Sequence, residues 1–147
     1  MIMETHIATS IKQSKKLIKL GIDVNTADMR YGYIAPYNFS DRMYDGGYDE
    51  VPYPKDFLKK NPDFSENQYD GELPAWSLAA LLNVLESEIN EKEGESYQLN
   101  IEKYGTWWNV CYRKQYDEAN AIEIKSTKEL IDVCYEMIIK LHEQKLI

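Results

Sequence analysis

Chemistry in this chain would have to come from two histidines, two cysteines and a set of acidic turns, and their spacing narrows what each can do. Nucleophilic catalysis needs a Ser, Thr or Cys beside a positioned base. The histidines, His6 and His142, each lie near an end of the 147-residue sequence. Cys134 precedes His142 by eight positions, which on a helix separates them by roughly 80° in azimuth and about two turns along the axis. A Cys–His dyad is therefore not expected. Neither G-x-S-x-G nor the phosphate-binding patterns G-x-x-x-x-G-K-[ST] and G-x-G-x-x-G occurs. A structural zinc would need four Cys or His ligands at short spacings, and the two of each type here are far apart.

The acidic turns fare no better as metal or catalytic sites. In "DRMYDGGYDEVP", setting Gly46 at the sixth position of a calcium loop places Asp41, Asp45 and Asp49 at positions 1, 5 and 9. Met43 then occupies position 3, and Pro52 stands where the bidentate Glu belongs, so these are read as acidic turn residues. Neighbouring carboxylates such as Asp49 and Glu50, or Asp117 and Glu118, rarely meet across a substrate, and nothing selects one pair. No catalytic residue, no metal and no cofactor is expected.

Aromatic residues are more distinctive. Tyr31, Tyr33, Tyr37, Tyr44, Tyr48 and Tyr53 crowd a short stretch that also carries Asp and Gly. Tyrosine offers broad contact area, little side-chain entropy to lose and a polar tip, and this composition resembles that of binding loops. The candidate binding residues are accordingly Tyr37, Tyr44, Tyr48 and Tyr53, with Trp107 added on grounds given below.

The elements that must position these residues follow from periodicity. Over residues 5–20, Ile7, Ile11, Ser14 and Ile18 share a helical face while Lys12, Lys15, Lys16 and Lys19 crowd the rest, and Gly21 is the stop. The lysines complement the C-terminal dipole rather than form a basic site. "MRYGYIAPY" alternates as a short strand that Pro36 ends or confines to an edge. From 36 to 72 a long Tyr-rich loop is expected, with room for one hairpin around "YDGGYD".

Between Leu73 and Leu85 no residue is charged. Those 13 residues rise only about 20 Å as a helix, short of the ~30 Å that a membrane requires. With Pro74 in the first turn, Leu78, Leu81, Leu82, Leu85 and Ile89 form one stripe and Trp76, Ala80, Asn83 and Ser87 another, which predicts a central helix covered on both sides.

"SYQLNIEKYGTWWNVCYRKQ" reads as a hairpin about Tyr104 and Gly105, pairing Lys103 with Thr106, Ile101 with Trp108, Leu99 with Val110 and Tyr97 with Tyr112. The larger apolar side chains then share one face. Gln98, Asn100, Glu102, Trp107, Asn109 and Cys111 take the other, so Trp107 is the one large residue aimed away from the inferred core. "NAIEIK" is a further strand. A capping box of Ser126 and Glu129 opens a last helix with Leu130, Ile131, Cys134, Met137, Ile138 and Leu141 in one stripe and a Glu136–Lys140 pair on the opposite side.

These elements predict a single α+β domain over residues 1–147, with three helices packed on a small, mainly antiparallel sheet. Hydrophobic residues at 44% and aromatics at 12% are too abundant for disorder. The formal charge of −8 disfavours nucleic acid and anionic membrane surfaces as partners. The first residues carry neither a basic leader nor an apolar run, so a cytoplasmic location is expected, with Cys111 and Cys134 as reduced, buried thiols.

"QSKKLIKLG", "TADM", "PAWSLAALL" and "CYEMIIKLHEQKLI" resemble an uncharacterised family of small proteins encoded by gut-bacterial genomes and their phages or mobile elements. The resemblance spans most of the chain outside the Tyr-rich loop and implies a bacterial or phage cytoplasmic setting, with no activity attached. The functional expectation is a non-enzymatic binding or accessory protein that contacts a protein partner, or a second copy of itself, through the Tyr-rich loop. A small enzyme with a carboxylate-lined cleft and an acidic nucleic-acid mimic are the alternatives.

Overall fold

The computed structural model describes residues 6–34, 52–54, 68–90, 96–114 and 117–147. The fold is α+β: the described residues form three helices and two antiparallel sheets, one of three strands in the order β2-β1-β3 and one of four in the order β4-β5-β6-β7. The chain forms two compact units, Ile7–Ser77 and Leu78–Ile147, with His6 belonging to the second.

The first unit holds α1 (Ile11–Lys19), β1 (Met29–Ile34), β2 (Tyr53–Pro54) and β3 (Gln68–Ala75). Helix α1 begins later than the apolar spacing suggests, because Ser10 and Gln13 form a capping box that satisfies the first free backbone donors. Ile7 thus precedes the helix and is 51% exposed, and the fully buried face is Ser14 and Leu17. Gly21 ends the helix at φ +89°, as expected of a residue beyond the C-cap.

Strand β1 is central rather than an edge, paired with β2 on one side and β3 on the other. β3 overturns two expectations at once, since it occupies residues read as the end of the loop and the start of a helix. "QYDGELPA" alternates with a period of two, a signal that Gly71 and Pro74 obscure. Pro74 is tolerated opposite Arg30 because β3 is an edge strand, whose outward positions need no ladder donor.

Trp76 is accordingly not helical. Its side chain is fully buried; its backbone N–H donates to Thr9 Oγ1 (3.1 Å), its carbonyl accepts from Thr9 N–H (2.8 Å), and its indole N–H donates to Thr26 Oγ1 (2.9 Å). The Thr9 carbonyl accepts from Tyr31 Oη at 2.8 Å, and its hydroxyl lies 2.8 Å from that of Ser14. Ala8, Tyr31, Leu73 and Ala75 complete this core, with Ile11, Ile18 and Met29 packed against it.

The second unit contains α2 (Leu78–Val84), β4 (Glu88–Asn90), β5 (Ser96–Tyr104), β6 (Trp107–Lys114), β7 (Asp117–Ser126) and α3 (Leu130–Glu143). Helix α2 is far shorter than the predicted central helix, and Ile89 lies in β4, opposite Tyr97. α3 packs on α2, β6 and β7, burying Ile131, Val133, Cys134, Met137, Ile138 and Leu141. The helix starts at Leu130, not at Ser126, because Ser126 is still in the ladder opposite Trp108 and the Glu129 carboxylate accepts from the backbone N–H of His6. Glu136 pairs with Lys128 rather than Lys140, whose ammonium instead donates to the Glu123 carbonyl at 3.1 Å and ties α3 to β7.

The β5–β6 turn lies one residue further along than predicted. Gly105 and Thr106 form it, with Tyr104 opposite Trp107, Ile101 opposite Val110 and Leu99 opposite Tyr112. Gly105 has φ +58°, so it takes the first central position, which in a type II′ turn demands a residue at ease in that region.

Among the described residues no helix is long and apolar enough to cross a membrane. Because the Trp76 side chain fills its core and its indole closes one of the residue's three hydrogen bonds there, Trp76→Ala is expected to cost about 3–5 kcal/mol. Thr26→Val, which removes the acceptor for the indole and the hydroxyl's own bond to the Asp23 carbonyl, should cost about 1–2 kcal/mol. Urea unfolding midpoints of the two variants check both values.

Candidate functional site

The pairing that moved the turn by one position preserved the side-chain faces, since displacing both partners of a pair together by two residues in sum leaves the parity unchanged. Leu99, Tyr112 and Ile122 lie in one cross-strand row of the four-stranded sheet, and Ile101, Val110 and Ile124 in the next, all on the face against which α3 packs. The opposite face is polar. Its rows run Asn100, Cys111, Glu123 and then Glu102, Asn109, Lys125, with Tyr104 opposite Trp107 at the hairpin end.

Long side chains on this face are paired with one another. Arg113 binds Glu102 at 2.7 Å, Lys125 binds Glu123 Oε1 at 3.2 Å, and Asn109 Nδ2 donates to Glu123 Oε2 at 3.1 Å. Tyr104 Oη donates to Glu102. The Tyr104 and Trp107 rings stack with centroids 5.0 Å apart, and the Lys125 ammonium lies 5.9 Å from the Trp107 ring centre. Trp107, Lys125, Ser126 and Thr127 border a surface hollow of about 510 Å³.

Electrostatics on this face favour occupied charges over reactive ones. Burial alone would raise the Glu123 carboxyl, but hydrogen bonds from Asn109 and Lys125, together with the charges of Lys125 and Arg113, outweigh it and hold the group below its ordinary value of 4.5. Burial pushes the Cys111 thiol up, with Arg113 opposing and the two glutamates reinforcing. In the core of the same unit, burial pushes Cys134 up to about 12. A raised pKa leaves little thiolate at neutral pH, so neither cysteine is a prepared nucleophile. Both are free and buried, as the sequence led us to expect.

Of the candidate binding residues, Trp107 sits half-buried on the polar face, where alternation placed it. Tyr53 is a half-buried ladder residue of β2 opposite Arg30 rather than part of a loop, because it supplies β1 with its second neighbour. Tyr37, Tyr44 and Tyr48, like Asp41, Asp45 and Asp49, lie outside the described residues. Among the described residues no group of three or more His, Cys, Asp and Glu side chains is placed to hold a metal ion. Sequence reasoning did not single out Tyr104, Lys125, Ser126 and Thr127; Tyr104 was read as a turn residue and Ser126 as a cap, and the hairpin register that joins them was the available signal.

No family model, curated protein or solved structure matches this chain.

Since Glu123 is depressed in the folded state, the stability it contributes is present above its unfolded pKa and is lost as pH falls from about 4.5 through the lower native value. Glu123→Gln should therefore be less stable than wild type at pH 7, with the gap closing below pH ~4 in denaturant titrations. Iodoacetamide at pH 7 is expected to leave Cys111 and Cys134 unmodified in the native protein and to label both in denaturant, read by intact-mass spectrometry.

Proposed function

We propose that this chain is a non-enzymatic binding protein which, in the bacterial or phage cytoplasm that its resemblance implies, contacts a protein partner through the hairpin end of its four-stranded sheet. The observation that carries the reading is the stacked Tyr104–Trp107 pair standing beside the hollow lined by Trp107, Lys125, Ser126 and Thr127. Tyr104 is 47% exposed although its ring is held on one side by Trp107 and its hydroxyl by Glu102. An aromatic pair already immobilised loses little entropy on binding, and Tyr and Trp dominate contact energy at protein interfaces.

The rest of the polar face supports binding over catalysis. Glu102 and Glu123 are each engaged by a cation, and the Glu123 carboxyl is held below its ordinary value, away from a proton donor tuned to neutral pH. The alternation of Glu102 and Glu123 with Arg113 and Lys125 also differs from the uninterrupted carboxylate rows that imitation of a phosphate backbone would call for. The proposed surface rests on Trp107 and its neighbours rather than on the Tyr-rich loop.

The test compares wild type with a Tyr104→Ala, Trp107→Ala double variant, both first shown to be folded by circular dichroism. Each is used to capture proteins from a bacterial lysate, and the captured partner is purified and titrated against both. Wild type should bind at least tenfold more tightly, a difference of about 1.4 kcal/mol. Equal affinity for the two would remove the hairpin end from the interface.

A further inference from the structure

We propose that the hollow beside Trp107 takes an extended peptide segment of the partner, one of whose peptide groups bridges Asn109 and Lys125; this rests on the binding-protein reading above. The starting observation is independent of the hollow. Asn109 is only 3% exposed, and among the described residues its Oδ1 has no hydrogen-bond partner, although its Nδ2 is well used on Glu123. A buried acceptor left without a donor costs stability, so such an atom is a reason to look for a missing donor.

The neighbours of Asn109 say where that donor would come from. Trp107 stands two positions before it on β6, with its side chain on the same face, and Lys125 lies directly opposite it on β7. Both line the hollow, and Asn109, which does not itself line it, is their direct neighbour in the sheet. Lys125 is readily displaced: its side chain is 56% exposed, and its ion pair to Glu123 and its approach to the Trp107 ring are contacts worth little at a surface. In the proposed complex the ammonium swings from Glu123 to the incoming acceptor, and the peptide N–H reaches Asn109 Oδ1 beside it.

A peptide group matches these requirements. Its N–H and C=O point in opposite directions in the trans plane, so an N–H directed at Asn109 Oδ1 leaves the carbonyl for the Lys125 ammonium and the hydroxyls of Ser126 and Thr127. The charges on this face argue for neutral recognition. Lys125 is matched by Glu123 and Arg113 by Glu102, so an ionic side chain meets no excess of opposite charge among them. A volume of about 510 Å³ suits a short stretch of chain.

The test selects binders from a random heptapeptide library displayed on phage against the full chain. Each selected peptide is then synthesised as the parent and as a series in which one backbone amide at a time becomes an ester, which removes a single N–H. Calorimetry against wild type should find one position where the ester loses roughly tenfold, the worth of one hydrogen bond to a buried acceptor. Against Asn109→Leu, and against Asn109→Ala should the leucine variant fail to fold, the same ester should cost nothing further, and Trp107→Ala should weaken every peptide. An ester loss equally large in the Asn109 variants overturns the proposal, as does peptide binding indifferent to Trp107→Ala or a failure to select any peptide. Should the Tyr104 and Trp107 substitutions abolish capture of the lysate partner while no ester position couples to Asn109, the binding reading stands and the peptide inference falls.

Discussion

The register of the β5–β6 hairpin is the constraint on which the second unit depends. Gly105 at φ +58° sets a two-residue turn, and from it every pair from Tyr104–Trp107 to Tyr97–Lys114 follows. Side chains alternate with a period of two, so a slip of one residue in β6 would bring Cys111 and Asn109 to the α3 side and send Val110 to the other, and a slip in β5 would do the same to Glu102 and Leu99. Burial of Val110, Tyr112 and Ile122 beneath α3 opposes that slip. The same alternation collects Glu102, Asn109, Cys111, Arg113, Glu123 and Lys125 on one face, so the candidate site is a consequence of the pairing that builds the core.

A different device organises residues 7–77. Thr9 uses its amide, carbonyl and hydroxyl at once, on Trp76, Tyr31 and Ser14. Those partners come from α1, from β1 and from the residue that follows β3, so one threonine next to a helix cap joins the main elements of its unit. In a buried setting each of these bonds resists removal more strongly than it would at the surface, because a donor or acceptor stripped of its partner cannot turn to water. The capping box at Ser10 and Gln13 works in concert, placing the start of α1 so that Ser14 reaches Thr9.

The polar face shows how composition and function separate. Its ionic groups are arranged as closed pairs, Arg113 with Glu102 and Lys125 with Glu123, which leave hydrogen-bonding capacity, rather than net charge, for recognition. Against that background the unpartnered Oδ1 of Asn109 and the immobilised Tyr104–Trp107 rings are the features that still have something to offer a ligand.

By itself the sequence determined the α+β class, the last helix and its buried stripe, the hairpin and the side of it on which Trp107 stands, and two cysteines with no disulfide. Each of these rests on periodicity or on local chemistry within a few residues, which a linear reading sees directly. Tertiary structure decided where elements end and whom their polar groups meet. Pro74 and Gly71 read as breakers until β1 supplied a neighbour that made β3 an edge strand, and Trp76 read as helical until Thr9, 67 positions away, took its backbone N–H. Lys140 left its helical neighbour Glu136 for a β7 carbonyl, and Glu129 left its capping role for the His6 amide, 123 positions distant. The candidate site belongs to this second kind: Glu102, Asn109 and Lys125 stand side by side because three strands pair, and a contact made across a sheet leaves no mark in the spacing of any one strand.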